Sequence, residues 1–215
     1  MATIAVIDYG MGNLRSVGKA LEHVDARSRI LVTDDPATIR RADRVVLPGV
    51  GAIRECMAQL RRLELDAVIR EVGSNKPFLG VCLGMQALLT TSEENGGMEA
   101  LGMFPGEVRH FTACFAEAGV PTPGKVPHMG WNQVRQTRAH PLWRGIPDGS
   151  WFYFVHSYFV PLLDDAWTAG MTTYGLEFTA VIARENIIAT QFHPEKSQTA
   201  GLALLANFTR WDGTA

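Results

Sequence analysis

Short apolar runs alternating with helical stripes through the first ninety residues constrain this chain more than any other feature. Residues 3–7, 29–33, 44–47 and 77–81 each read as a buried strand. Between them lie a helical stripe over 13–24 (Val17, Ala20, Leu21, Val24), a short helix opening at Pro36, and a helical face of Ile53, Met57 and Leu60. Residues 83–91 continue the fourth strand as a further predicted helix. Strands separated by helices pair in parallel, because parallel neighbours need a crossover connection. Beyond residue 100 the pattern changes. Residues 151–160 and 168–174 read as strands with no helix between them, and 178–183 and 187–192 are joined by Arg184-Glu185-Asn186, a connection of hairpin length. A last helix is predicted over 198–211, with Leu202, Leu205 and Phe208 facing the core, and 112–125 reads as an exposed loop. The expectation is an α/β fold: a doubly wound, mostly parallel central sheet with helices on both faces and an antiparallel C-terminal extension.

Composition narrows the setting. A chain of 215 residues is expected to form one domain, 1–215, and to bury about 70% of the surface its unfolded form exposes. A net charge of -2 argues against nucleic acid or an anionic membrane as partner. Three cysteines, Cys56, Cys82 and Cys114, are too few for a disulfide scaffold. No apolar stretch reaches the ~18 residues of a membrane span, and no basic segment precedes the first strand, so a cytoplasmic protein is expected.

Gly80-Val81-Cys82-Leu83-Gly84 sets a nucleophilic side chain between a predicted strand and a predicted helix. This is the cysteine form of a nucleophile elbow. Side chains two positions either side of so sharp a turn would collide, hence the glycines. A helix start also favours a thiolate over a thiol. Taken alone, the motif competes with a buried structural cysteine beside two packing glycines.

A cysteine nucleophile needs a base, and the base an orienting group. His193 ends a predicted apolar strand and is followed by Pro194-Glu195. In extended chain, residues i and i+2 share a side, so Glu195 is placed to accept from one ring nitrogen while the other faces Cys82. Acyl transfer also needs an oxyanion hole. The N–H of Leu83 is the first candidate donor, and Pro48-Gly49-Val50-Gly51, closing the neighbouring strand, offers a second through Gly49, Val50 or Gly51. That loop is equally compatible with a plain strand-to-helix turn.

With these residues assembled, the chain resembles the class I (triad) glutamine amidotransferases, whose fold is flavodoxin-like. The shared segments are the Pro48-to-Gly51 loop, Gly80-Val81-Cys82-Leu83-Gly84-Met85-Gln86, and Gln191-Phe192-His193-Pro194-Glu195-Lys196-Ser197. Within that superfamily it is similar to the glutaminase-subunit family of imidazole glycerol phosphate synthase, through Asp8-Tyr9-Gly10-Met11-Gly12-Asn13, Lys125-Val126-Pro127-His128-Met129-Gly130-Trp131-Asn132 and Tyr153-Phe154-Val155-His156-Ser157-Tyr158.

The resemblance implies hydrolysis of L-glutamine through a Cys82 thioester, without a cofactor or metal, for histidine biosynthesis. It implies a heterodimer with a cyclase subunit, a separate (β/α)8 barrel that uses the ammonia to make imidazole glycerol phosphate and AICAR. Gln86 and Glu94 would hold the α-amino and carboxylate end of glutamine, helped by backbone around His156 and Ser157. Asn13, Met129, Trp131, Asn132, Tyr153 and Lys196 would line the cyclase interface. The family is nearly silent until the cyclase binds its ligand, and the implied switch is reorientation of the Gly49-Val50 peptide. Three rivals stand beside it. Gly10-Met11-Gly12 with Asp34 imitates a dinucleotide fingerprint, but Arg15 holds the third glycine position. An amidotransferase for another acceptor and a catalytically dead interaction protein are the others.

Overall fold

The computed structural model describes residues 1–214. In chain order the elements are β1 (Thr3–Ile7), α1 (Leu14–Val24), β2 (Arg29–Thr33), α2 (Pro36–Arg41), β3 (Arg44–Gly49), α3 (Ile53–Arg62), α4 (Leu65–Gly73), β4 (Phe78–Cys82) and α5 (Leu83–Ala87). There follow β5 (Thr91–Ser92), β6 (Met98–Glu99), β7 (Glu107–His110), α6 (Phe111–Ala118), β8 (His128–Gln136), β9 (Ser150–His156) and β10 (Tyr158–Phe159). The chain closes with β11 (Thr168–Tyr174), β12 (Leu176–Arg184), β13 (Ile187–Thr190) and α7 (Gln198–Arg210).

One nine-stranded sheet runs in the order β2-β1-β3-β4-β13-β12-β11-β8-β9. Its first five strands are parallel, and the remaining four join antiparallel. Side-chain alternation gives the central parallel strands β1, β3, β4 and β13 two buried faces. Ile4 and Val6 of β1 share a core with Val17 and Leu21 of α1 and Leu204, Leu205 and Phe208 of α7. Ala5 and Ile7 enter a second core with Ile39, Met57, Leu60 and Ile69 from α2, α3 and α4. Helices therefore cover both faces, as the alternation required. Among the described residues no helix is long and apolar enough to cross a membrane.

Several local expectations need correction. The helix predicted over 83–91 stops at Ala87. Its last carbonyls are claimed by a returning segment: Leu101 N–H donates to Ala87, and Met103 and Phe104 to Leu88. Thr91–Ser92 instead joins a second sheet, β10-β7-β5-β6, which the sequence did not suggest. The region 112–125 is helical up to Ala118 because Phe111 and Phe115, one turn apart, stack on each other, and Phe111 stacks on Phe159. The long strand predicted over 151–160 breaks at Ser157, where the chain leaves β9 of the main sheet for β10 of the small one. In α7, Leu202 is only partly buried, and Leu204 takes the place expected for it.

Candidate active site

The site begins with backbone strain. β4 lies in the middle of the sheet between β3 and β13, with Gly49 of β3 directly opposite Cys82. Cys82 is the last residue of β4, has φ 55° and ψ −108°, and is followed at once by α5. A non-glycine residue held in this region costs of order 1–3 kcal/mol, so the surrounding packing must enforce it. The flanking glycines show how. A Cβ on Gly84 would lie 1.9 Å from the Leu47 carbonyl oxygen, and one on Gly80 would lie 2.8 Å from Ala189 Cβ and 3.2 Å from Gly84 C. The two positions do crowd one another, but the tighter restriction is α5 pressed onto β3.

β13 is parallel to β4, so it delivers the chain to the same sheet edge. Three residues beyond its end, His193 Nδ1 lies 2.9 Å from Glu195 Oε1, with both side chains shut off from solvent. The pair forms as expected, but through a different geometry: Pro194–Lys196 is a 3-10 turn rather than extended chain. Ser197 fixes that turn, since its hydroxyl donates to the His193 carbonyl at 2.6 Å and accepts from Tyr153 N–H at 2.9 Å. The second ring nitrogen, Nε2, and Glu195 Oε2 are buried without a hydrogen-bond partner. Burial disfavours a charged imidazolium at His193, yet the Cys82 thiol and the Glu195 carboxylate together outweigh it and raise its pKa to about 10.

A buried amide network backs the sulfur. Gln191 Nε2 donates to Cys82 Sγ at 3.8 Å, and Gln86 Nε2 donates to Gln191 Oε1 at 3.0 Å and to the Tyr158 carbonyl at 2.8 Å. Gln86 is thus buried, with both its N–H groups engaged. The Tyr158 carbonyl also accepts from His156 Nδ1 at 2.8 Å. His156 Nε2 meets His128 Nδ1 at 3.0 Å, and His128 Nε2 meets Asn132 Nδ2 at 3.3 Å. These roles are consistent only if both imidazoles are neutral and carry the proton on Nδ1. Burial, with His128 second, pushes His156 down to about 3, and burial pushes His128 down to about 4.

The sulfur opens onto a cavity of about 200 Å³, lined by Val50, Gly51, Cys82, Leu83, Gln86, Glu94, Val155, His156, Ser157, Tyr158 and His193. This is below the usual size of drug-like sites and suits one small molecule. Gly49 is not on the wall: it lies behind Cys82, where a Cβ would come within 2.5 Å of Tyr9 Oη and 2.8 Å of Leu83 Cβ. Val50 N–H has no acceptor among the described residues. Glu94 spends one carboxylate oxygen on Ile53 N–H at 2.9 Å, at the start of α3.

The residues expected at an interface differ in exposure. Met129 (62% exposed), Trp131 (43%), Tyr153 and Lys196 form a patch on β8, β9 and the 3-10 turn after β13, with the Trp131 and Tyr153 rings 6.0 Å apart and Lys196 Nζ 5.9 Å from the Tyr153 ring. Tyr153 also accepts His193 N–H through its carbonyl, so the patch lies directly behind the imidazole. Asn132 is half-buried, because its amide serves His128 and the Thr173 carbonyl. Asn13 precedes α1, next to Gly12, which packs near Pro48 and Gly49. Sequence reasoning missed Gln191, Val155 and Tyr158 as site residues. Gln191 had a usable signal, standing two positions before His193 in the predicted strand.

A thiol and an imidazole on one small cavity, the imidazole backed by a buried carboxylate, can carry out acyl transfer. A family model described as glutamine amidotransferase class-I matches residues 5–211. The chain belongs to the class I glutamine amidotransferases. This amidotransferase is 59% identical over 213 residues to imidazole glycerol phosphate synthase subunit HisH 1 of Pseudomonas aeruginosa, with 99% of each chain covered. It is 57% identical over 215 residues to subunit HisH of Nitrosococcus oceani, with 100% of both covered. The fold is shared with a crystal structure of a glutamine amidotransferase at TM-score 0.71 and 14% identity, covering 96% of this chain and 97% of that one. It is also shared with a glutamine amidotransferase of Thermotoga maritima at TM-score 0.63 and 16% identity, covering 97% and 96%.

Proposed function

We propose that this amidotransferase, a single domain, is the glutaminase subunit of an imidazole glycerol phosphate synthase, and that Cys82, His193 and Glu195 are its catalytic triad. The observation that carries the residue assignment is the convergence of His193, tied to a buried Glu195, on the cavity that Cys82 opens into.

Glutamine enters with its side-chain amide toward Cys82. His193 Nε2 takes the thiol proton, and the sulfur attacks the amide carbon. The N–H groups of Leu83 and Val50 stabilise the oxyanion. Collapse of the tetrahedral intermediate breaks the C–N bond, and His193 returns the proton to the departing ammonia. Water, deprotonated by His193, then hydrolyses the thioester and releases glutamate. At the other end of the substrate, Gln86 has only its carbonyl oxygen left to offer. Together with the carboxylate of Glu94 it suits the α-ammonium group, and the α-carboxylate falls to backbone around His156 and Ser157.

Ammonia in open water becomes ammonium and ceases to be a nucleophile, so the acceptor site belongs in a partner docked close by. The exposed Met129, Trp131, Tyr153 and Lys196 patch is the proposed docking surface, and a (β/α)8-barrel cyclase the proposed partner. The test mixes the chain with a candidate cyclase and measures glutamate release with and without acceptor. Cys82→Ala is expected to lose glutamine-dependent synthesis and to keep synthesis from added ammonium salts. Retained glutamate release by Cys82→Ala would overturn the assignment.

A further inference from the structure

We infer that Gln191 is a positioning residue for the Cys82 sulfur, a donor held at a fixed orientation on the side of the elbow that His193 also occupies. The inference rests on Cys82 being the nucleophile and adds a component that the triad does not contain.

Three observations carry it. First, Gln191 is fully buried, so its amide cannot turn to water and must satisfy itself within the protein. Second, its orientation is forced. Gln86 uses its two N–H groups on the Tyr158 carbonyl and on Gln191 Oε1, so the oxygen end of Gln191 must face Gln86. The N–H end is left toward Cys82 Sγ, 3.8 Å away, within reach for a hydrogen bond to sulfur. Third, Gln191 and His193 stand two apart in the bend that follows β13, with the Gln191 amide on the Cys82 sulfur and His193 on the wall of the cavity that Cys82 opens into. Phe192 between them turns the other way and stacks on Phe152 at 4.0 Å. The sulfur therefore has both a base and a neutral donor beside it. A donor to sulfur strengthens as negative charge develops there, and a fixed one also restricts the rotamer from which the thiol attacks. Gln86, by orienting Gln191, connects this restraint to the same side chain that faces the substrate.

The experiment uses the full chain assembled with its cyclase. Gln191→Leu removes the donor, and Gln191→Glu keeps the shape and the Gln86 contact while placing a carboxylate against the sulfur. Steady-state kcat and KM for glutamine are read alongside the rate and pH profile of Cys82 alkylation by iodoacetamide, a probe that does not resemble glutamine. Gln191→Leu is expected to lower kcat roughly tenfold, the scale of one hydrogen bond to a charged group, with KM within about twofold. Gln191→Glu is expected to slow alkylation and move its pH profile upward. Unchanged kcat and alkylation in both variants, or a raised KM with kcat intact, would overturn the inference. If Gln191→Leu fails to fold, the isosteric Gln191→Glu decides by its alkylation profile alone. Cys82→Ala separates the two levels: glutaminase activity surviving in that variant refutes the nucleophile, whereas failure of the Gln191 variants to respond refutes only the positioning role.

Discussion

Glu195 and His193 meet at 2.9 Å with neither side chain open to solvent, and the contact leaves Nε2 as the ring nitrogen of His193 without a hydrogen-bond partner among the described residues. The carboxylate fixes the tautomer and compensates the charge the imidazole acquires. Glu195→Gln preserves shape and removes the charge. We expect kcat to fall by about 100-fold or more, with KM for glutamine little changed and the unfolding midpoint near wild type. Steady-state kinetics of the assembled complex check this, and a kcat within about threefold of wild type would refute an electrostatic role.

Val50 closes the loop opposite the elbow, and its N–H is free among the described residues. Val50→Pro deletes that donor, whereas Val50→Ala keeps it. Loss of one oxyanion donor typically costs ~3 kcal/mol, so partner-stimulated turnover should fall about 100-fold in Val50→Pro and stay close to wild type in Val50→Ala. Equal turnover in the two variants would remove Val50 from the oxyanion hole.

Gly84 offers a test of the elbow's packing that does not depend on chemistry. Its missing Cβ would overlap the Leu47 carbonyl at 1.9 Å, and backbone cannot swing aside as a side chain can. Gly84→Ala is expected to destabilise the fold by roughly 3 kcal/mol, at or beyond the upper end of ordinary overpacking. Urea unfolding measures it, and a loss below about 1 kcal/mol would show that α5 and β3 separate easily.

Stability should depend on pH through the buried imidazoles. Burial pushes His128 down to about 4 and His156, aided by His128, to about 3; burial, with Arg138 second, lowers His140 to about 4. The unfolded chain takes up protons at these positions near pH 6.5, before the folded chain does. Stability is therefore full above 6.5 and falls as pH drops toward 4 for His128 and His140, and toward 3 for His156. His128 alone contributes on the order of 3 kcal/mol to that loss. His193 has the opposite sign. Its pKa is raised to about 10, so its contribution is complete below 6.5 and disappears as pH rises through 10. Urea midpoints between pH 4.5 and 9.5 should peak near neutrality. A flat profile from pH 7 to 5 would refute neutral burial of the three imidazoles.

The parallel half of the sheet was legible because its determinants are local. Period-two apolar runs, helical stripes and the Gly80-Val81-Cys82-Leu83-Gly84 turn each declare themselves within a few residues, and parallel pairing follows from the crossovers. The pairing of His193 with Glu195 was legible too, although a 3-10 turn brings them together rather than an extended strand. The second sheet was not legible, since β5, β6 and β10 are two residues long and exist only where distant segments meet. Nor was α6, whose Phe111 is buried by Phe159 and Phe178 from far along the chain.

The sequence by itself determined the architecture around β4 and the chemical types gathered at its end: a thiol, an imidazole, a carboxylate and glycines where no side chain fits. Only the tertiary structure decided how those groups are supported. Gln191 and Gln86 lie 105 positions apart, and His156 and His128 lie 28 apart. Each pair is set by the burial of polar groups that have no water to turn to. Such groups must find one another in space, and no pattern of neighbouring residues announces which partner they find.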